Sequence, residues 1–201
     1  MSRDISPAQR QALHTLSALA LPSAYLAGGV AVALRLHHRT SRDLDLFVPD
    51  GDPAGLAPRL GAGVRVLSRA EGTLYLDVAG VPASIIRYGY PLLAPAERLE
   101  GIEVPVASLD DLECMKLSAI AGRGARRDFW DLHAMLAARD RTLEEALSAF
   151  ARKYRTDDVG HVVRSLVYFE DAEAEPMPAR LTTAHWSRIR ADLCAWVVAL
   201  A

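Results

Sequence analysis

Two aspartates separated by a single leucine, Asp43 and Asp45, close the stretch "AGGVAVALRLHHRTSRDLDLF" of a 201-residue chain. In an extended strand, residues two apart project to the same face, so these carboxylates converge while Leu44 and Leu46 turn to the other side. Like charges this close repel strongly in a partly buried site unless a cation lies between them. Aspartate oxygens suit a hard ion, and Mg²⁺ takes one or two protein carboxylates with substrate phosphates in its other positions. Gly28 and Gly29, separated from Asp43 by residues 30–42, belong to the same chemistry. Glycines at a strand-to-helix turn let backbone N–H groups approach a phosphate at the positive end of the helix. Together the two pieces predict a nucleoside triphosphate lying across the glycine turn, its metal (Mg²⁺ or Mn²⁺) held by Asp43 and Asp45.

The elements that must place these groups can be read from periodicity. Pro7 to Leu19 has helical apolar spacing with Ser6 as N-cap and Pro7 at the first position. A strand over Ala24–Ala27, a tight turn at Gly28-Gly29, a helix over Val30–Leu36 and a strand over Asp43–Val48 follow, the last stopped by "PDGDP". After a short helix at Pro53–Leu60, three strands form an antiparallel set: Val64–Ser68, Thr73–Val78 and Val81–Tyr88. From Ser108 the pattern is helical, with Ser108/Asp111 and Thr142/Glu145 as capping boxes. Helices are expected near Ser108–Ala121, Arg126–Ala138, Leu143–Lys153, Val159–Phe169 and Thr183–Leu200, with "GRG" at 122–124 as a break. The expectation is an α+β chain: an α/β core over 1–107 and a C-terminal helical subdomain over 108–201.

Composition narrows the class. Charged residues are 24% and apolar residues 51%, ordinary globular usage, and no apolar run approaches the length that spans a bilayer. The polar, acid-bearing N-terminus has no signal-peptide core, which points to the cytoplasm and away from membranes. Cys114 and Cys194 have no Cys or His at ligand spacing and read as buried free thiols. With a net charge of −2, a nucleic acid would have to be met by a local basic patch.

The order hydrophobic, Gly-Gly, spacer, Asp-hydrophobic-Asp resembles the nucleotidyltransferase superfamily pattern, and "DLECMKLSAIAGRGARRDFWDLHAML" with "SLVYFEDAEAEPMP" resembles the later motifs of the AbiEii/AbiGii toxin family, which includes MenT-type enzymes. The resemblance runs from about Leu26 to Pro178. It implies a small mixed sheet flanked by helices and a helical subdomain that completes the active site. By motif, Gly28 and Gly29 fall on nucleotide binding, Asp43 and Asp45 on catalysis and metal, and Lys116 and Asp128 on the rest of the catalytic set. Many nucleotidyltransferases add a third carboxylate from the neighbouring strand; here that position is Ser84, and Asp77 is the nearby acid, so a single-metal site or one with a weakly held second metal is expected. The resemblance also implies NMP transfer from an NTP, a tRNA 3′ end as acceptor and a cognate antitoxin. Rival readings are nucleotidylation of an aminoglycoside-like small molecule or a protein, and a non-catalytic nucleotide- or partner-binding module.

Other residues carry open alternatives. Lys116 is either a point cation for triphosphate or an exposed helix lysine, and Asp128 either a base, an orienter of Lys116 or a helix N-terminal charge. Asp131 is either a partner of Arg127 or part of the site. His37, His38, Arg39 and Arg42 form a basic loop, of which Arg39 and Arg42 are nucleotide-binding candidates. Arg123, Arg126 and Arg127 either draw a polynucleotide or pair with Asp128 and Asp131. His133, Trp130, Trp186 and Trp196 read as helix-packing residues.

Overall fold

Ser6 and Gln9 set the first element. The Ser6 hydroxyl accepts the Gln9 N–H while the Gln9 side chain accepts the Ser6 N–H, a reciprocal cap that starts α1 (Pro7–Ser17). The computed structural model describes residues 5–200 and divides between Ser108 and Leu109 into two compact units.

In the first unit, β1 (Tyr25–Ala27), α2 (Gly28–Leu36) and β2 (Leu44–Val48) are followed by a 3-10 helix over Pro53–Arg59, then β3 (Val64–Ala70), β4 (Thr73–Val78) and β5 (Val81–Arg87). The strands form one mixed sheet in the order β1-β2-β5-β4-β3, parallel only between β2 and β5. Registered pairing puts Leu26, Leu44, Leu46, Leu74, Leu76 and Ile85 on one face, and all six are buried. Burying each such side chain contributes roughly 1.5–3 kcal/mol, which fixes strand register by fixing which face is apolar. The opposite face carries Ala27, Asp45, Ser84 and Tyr75 as one cross-strand row.

Several boundaries differ from the periodic reading. The strand expected from Asp43 begins at Leu44, because the rung before the Leu44–Ala83 pair would face Pro82, which has no N–H for the ladder. The glycine pair is no separate turn. Gly28, at φ +67°, bends the chain directly from β1 into α2, so both glycines lie in that helix's first turn.

The second unit is helical: α3 (Leu109–Arg123), α4 (Arg126–Ala138), α5 (Leu143–Tyr154), α6 (Gly160–Ser165), α7 (Glu170–Ala174) and α8 (Thr183–Val198). Gly122 lies inside α3, and the break falls at Gly124, whose φ of +59° suits glycine. The helix expected over Val159–Phe169 is shorter, ending at Ser165, and a separate short helix, α7, begins beyond that span at Glu170. Bonds from the N–H groups of Val167 and Tyr168 to carbonyls three residues back tighten the chain, and Phe169 turns in against Phe129 and Trp186. Thr142 and Glu145 form the expected capping box, and the Asp111 carboxylate meets Lys153 at 2.6 Å in a fully buried ion pair. Glu113 is also buried, its carboxylate divided between Arg139 and Arg141; burial raises it above the ordinary range despite them.

Burial pushes the Cys114 thiol up to about 12, so it is inert. Cys194 is exposed rather than buried, since α8 turns Trp186, Ile189 and Leu193 inward and Cys194 follows one position off that stripe. Trp130 is buried with them, Trp196 stacks on His133, and His133 bonds Asp192 at 2.8 Å. Among the described residues no helix is long and apolar enough to cross a membrane.

Candidate active site

The first unit assembles its polar residues around the start of α2. Asp45 stands opposite Ala27 of β1 and Ser84 of β5, and the Ser84 hydroxyl donates to Asp45 Oδ1 at 2.7 Å. On the other side Gly28 lies against the same carboxylate; a Cβ there would collide with Asp45 Oδ2. Gly29 is equally confined, since a Cβ would come within 2.6 Å of Ser41 Oγ and 2.7 Å of an Arg39 terminal nitrogen. The glycines are therefore the floor on which Asp45, Ser41 and Arg39 rest, at the helix end whose amides favour anions. Gly28→Ala is expected to cost about 1–3 kcal/mol, from both positive φ and the displaced carboxylate. A urea midpoint equal to the parental one would refute it.

Asp43 is exposed and Asp45 half-buried. The loop leading to them is held from α1, where the Gln9 amide donates to the carbonyls of Ser41 and Arg42 at 2.9 and 3.2 Å. Arg39, one of the nucleotide-binding candidates, is buried beside Gly29 and donates to the Thr40 carbonyl at 3.0 Å, while Arg42 is exposed. The basic loop is thus neither uniformly solvated nor uniformly free. Asp77 shares the sheet face with Ser84, but its carboxylate accepts the Gly80 N–H at 3.1 Å and lies 3.8 Å from Arg65, which commits it to the β4–β5 hairpin.

Two carboxylates with room for phosphate oxygens suit a divalent ion such as Mg²⁺. Among the described residues no group of three or more His, Cys, Asp or Glu is placed to hold a metal. Asp43 and Asp45 could hold one with substrate oxygens completing its shell, and the Gly28 cradle keeps the Asp45 carboxylate at the phosphate-binding end of α2.

The second unit gathers a different cluster. Lys116 Nζ lies 2.7 Å from both Asp128 and Asp131, and Arg123 forks onto Asp128 at 2.9 and 3.2 Å. Both aspartates are fully buried and Lys116 nearly so, whereas the Arg123 side chain is 57% exposed. Burial alone would raise the Asp128 carboxyl, but Lys116 and Arg123 overcome it and hold it below the usual carboxylate range. Lys116 is no solvated helix lysine, and Asp131 is its second anchor.

The three arginines separate. Arg123 pairs with Asp128 and Arg127 is exposed, but Arg126 is buried over the Trp186 ring, donating to the Glu173 carbonyl and Met177 sulfur. It packs the unit's interior and belongs to no surface patch. Sequence reading also passed over Ser41 and Gln9; the Ser6-x-x-Gln9 spacing was the available signal for the second.

Residues 59–195 match a family described as the AbiEii nucleotidyl transferase toxin of type IV toxin–antitoxin systems. An uncharacterised protein of Aquifex aeolicus is 36% identical over 179 residues, covering 86% of this chain and 87% of that protein. Three solved structures share the fold. The nucleotidyltransferase toxin MenT4 of Mycobacterium tuberculosis has a TM-score of 0.64 at 19% identity, over 96% of this chain and 82% of that one. The antibiotic-resistance factor ANT(2'')-Ia has a TM-score of 0.56 at 16% identity, over 75% and 93%. A nucleotidyltransferase-like protein of Helicobacter pylori has a TM-score of 0.51 at 15% identity, over 98% and 96%. With the family match covering more than half of the chain, from β3 through the Lys116–Asp131 helices into α8, the chain belongs to the AbiEii nucleotidyltransferase toxin family.

Proposed function

We propose that the chain transfers a nucleoside monophosphate from an NTP to an acceptor hydroxyl at the 3′ end of a tRNA, in the cytoplasm, as a toxin neutralised by a cognate antitoxin. The observation that carries the transfer reading is the Asp45 carboxylate, bonded by Ser84 and abutting Gly28 at the N-terminus of α2. A carboxylate suited to a divalent cation, beside a helix N-terminus suited to phosphate, supports that reading.

The α2 amides and the Arg39 guanidinium beside Gly29 favour the triphosphate. A divalent cation bound by Asp43 and Asp45 would supply Lewis-acid neutralisation of phosphate charge. The acceptor oxygen forms its bond to the α-phosphorus, the bond to the β-phosphate breaks, pyrophosphate leaves, and the hydroxyl proton passes to solvent. Within the second unit, Asp128 and Asp131 hold two of the N–H donors of Lys116, and its third donor suits a phosphate oxygen. Asp128, kept ionised by two cations, orients Lys116 and is a poor base for a hydroxyl.

Incubation with labelled NTPs, Mg²⁺ and total tRNA tests the reading, with labelled RNA and released pyrophosphate expected. Label on a small molecule or a protein, with RNA unlabelled, would sink the acceptor assignment. NTP binding by calorimetry without pyrophosphate release would sink the enzymatic one.

A further inference from the structure

In-line displacement puts the attacking oxygen and the leaving pyrophosphate on opposite sides of the α-phosphorus. The two sides of Asp45 differ in this chain. Toward β1 lies Gly28 and the N-terminus of α2, suited to the phosphates that leave. Toward the other edge, Asp45 is paired with Ser84, Ser84 with Tyr75 of β4, and Tyr75 with Ser68 of β3, in one continuous row. With pyrophosphate on the α2 side, the acceptor must approach over β5 and β4.

What that approach presents is an aromatic ring and a cation. Tyr75 is 44% exposed, whereas Tyr25 and Phe47 on the same sheet face are buried. Two strand spacings of about 4.8 Å put its backbone roughly 10 Å from that of Asp45. That is the reach of a base carried by a ribose whose hydroxyl sits at the carboxylates. One rung along, Arg65 of β3 is opposite Asp77, and its side chain is 73% exposed. Their 3.8 Å separation is a loose pairing that leaves guanidinium donors for a phosphate. Alternating aromatic and cationic groups on a sheet face suit single-stranded nucleic acid, in which each base brings a π-face and a phosphate together.

We propose that the β3–β4 ribbon is the acceptor subsite, with Tyr75 stacking a base of a single-stranded RNA 3′ end and Arg65 meeting its phosphate. This rests on the transferase reading for the direction of approach. The subsite itself is measured by binding, which needs no turnover.

The test is the anisotropy of labelled tRNA titrated with protein and Mg²⁺ in the absence of NTP, paired with transfer kinetics. Tyr75→Ala is expected to raise the Kd and KM for RNA roughly 5- to 100-fold, the range found for loss of one base-stacking ring. NTP affinity by calorimetry should stay within about twofold, and Tyr75→Trp should bind RNA as the parental protein does. Parental-like RNA affinity and KM in Tyr75→Ala would overturn the proposal, as would a parental protein that labels a small molecule and binds no RNA. A parental protein that binds RNA through Tyr75 yet releases no pyrophosphate would sink the transferase reading and support the subsite, so the two failures are distinguishable.

Discussion

Asp45→Asn is expected to reduce NMP transfer by at least about a thousandfold while leaving the fold intact. Loss of several kcal/mol of charge stabilisation at the reacting phosphate corresponds to that factor. Asparagine matches aspartate in shape, so the Oδ1 that accepts from Ser84 and the contact with Gly28 are both kept. It also removes one of two neighbouring negative charges, so unfolding free energy should stay within about 1 kcal/mol of parental, or rise slightly when no cation is present. Transfer kinetics and a urea titration on the same preparation separate the two effects. A variant with normal stability and parental turnover would remove Asp45 from the chemistry altogether. Asp43→Asn should share the activity loss with even less effect on stability, because Asp43 is exposed and outside the ladder.

What could be read from sequence in this region was local. Strand alternation puts Asp45 on the face opposite Leu44 and Leu46, whereas the glycine pair, expected as a turn ahead of the helix, forms that helix's first turn. Alternation does not give the parallel pairing of β2 with β5, which joins residues about forty apart and brings Ser84 onto Asp45; the family resemblance alone put Ser84 on the neighbouring strand. Non-local pairing of this kind leaves no periodic trace, since each strand alternates the same way whichever neighbour it has. The start of β2 is hidden from sequence for a related reason, because the residue that ends its ladder is Pro82 on another strand.

In the helical unit the limits are those of helix phase and tertiary partners. The run from Arg123 to Arg127 looks like one basic patch, yet α3 ends at Arg123 and the chain turns at Gly124, so successive arginines face solvent or interior according to the new helix's phase. Arg126 is covered because its guanidinium can lie flat on Trp186 while its stem packs, something a charge count cannot register. The role of Asp131 is not legible from its own helix, because Lys116, 2.7 Å away, is on α3. The matching buried pair Asp111–Lys153 gave no signal at all, as lysine and aspartate are rarely fully buried unless paired across elements.

Lys116→Ala carries the second large effect, on stability and activity together. Its removal leaves Asp128 with Arg123 alone and strips from Asp131 the ammonium 2.7 Å away, both carboxylates being fully buried. Breaking a buried pair in this way costs about 3–5 kcal/mol, because a buried charge loses an opposite charge in contact with it. The pH dependence identifies the cause. In the parental protein the Asp128 carboxyl lies below its ordinary value, so its stabilisation is complete above the ordinary carboxylate range near pH 4 and is lost as pH falls through the folded value. In the variant, burial without the ammonium raises the carboxyls instead, so stability is lost as pH rises through those higher values. The stability deficit of Lys116→Ala should therefore be largest at pH 7 and shrink toward pH 4, measured by urea unfolding across that interval. Lys116→Arg, which keeps the charge but not the point-like geometry, should recover most of the stability and little of the NTP affinity. If Lys116→Ala were destabilised equally at pH 4 and pH 7, lost packing would explain the effect. If Lys116→Arg regained the parental KM for NTP as well as stability, the lysine would be one more structural cation, and the phosphate contact would have to come from another residue.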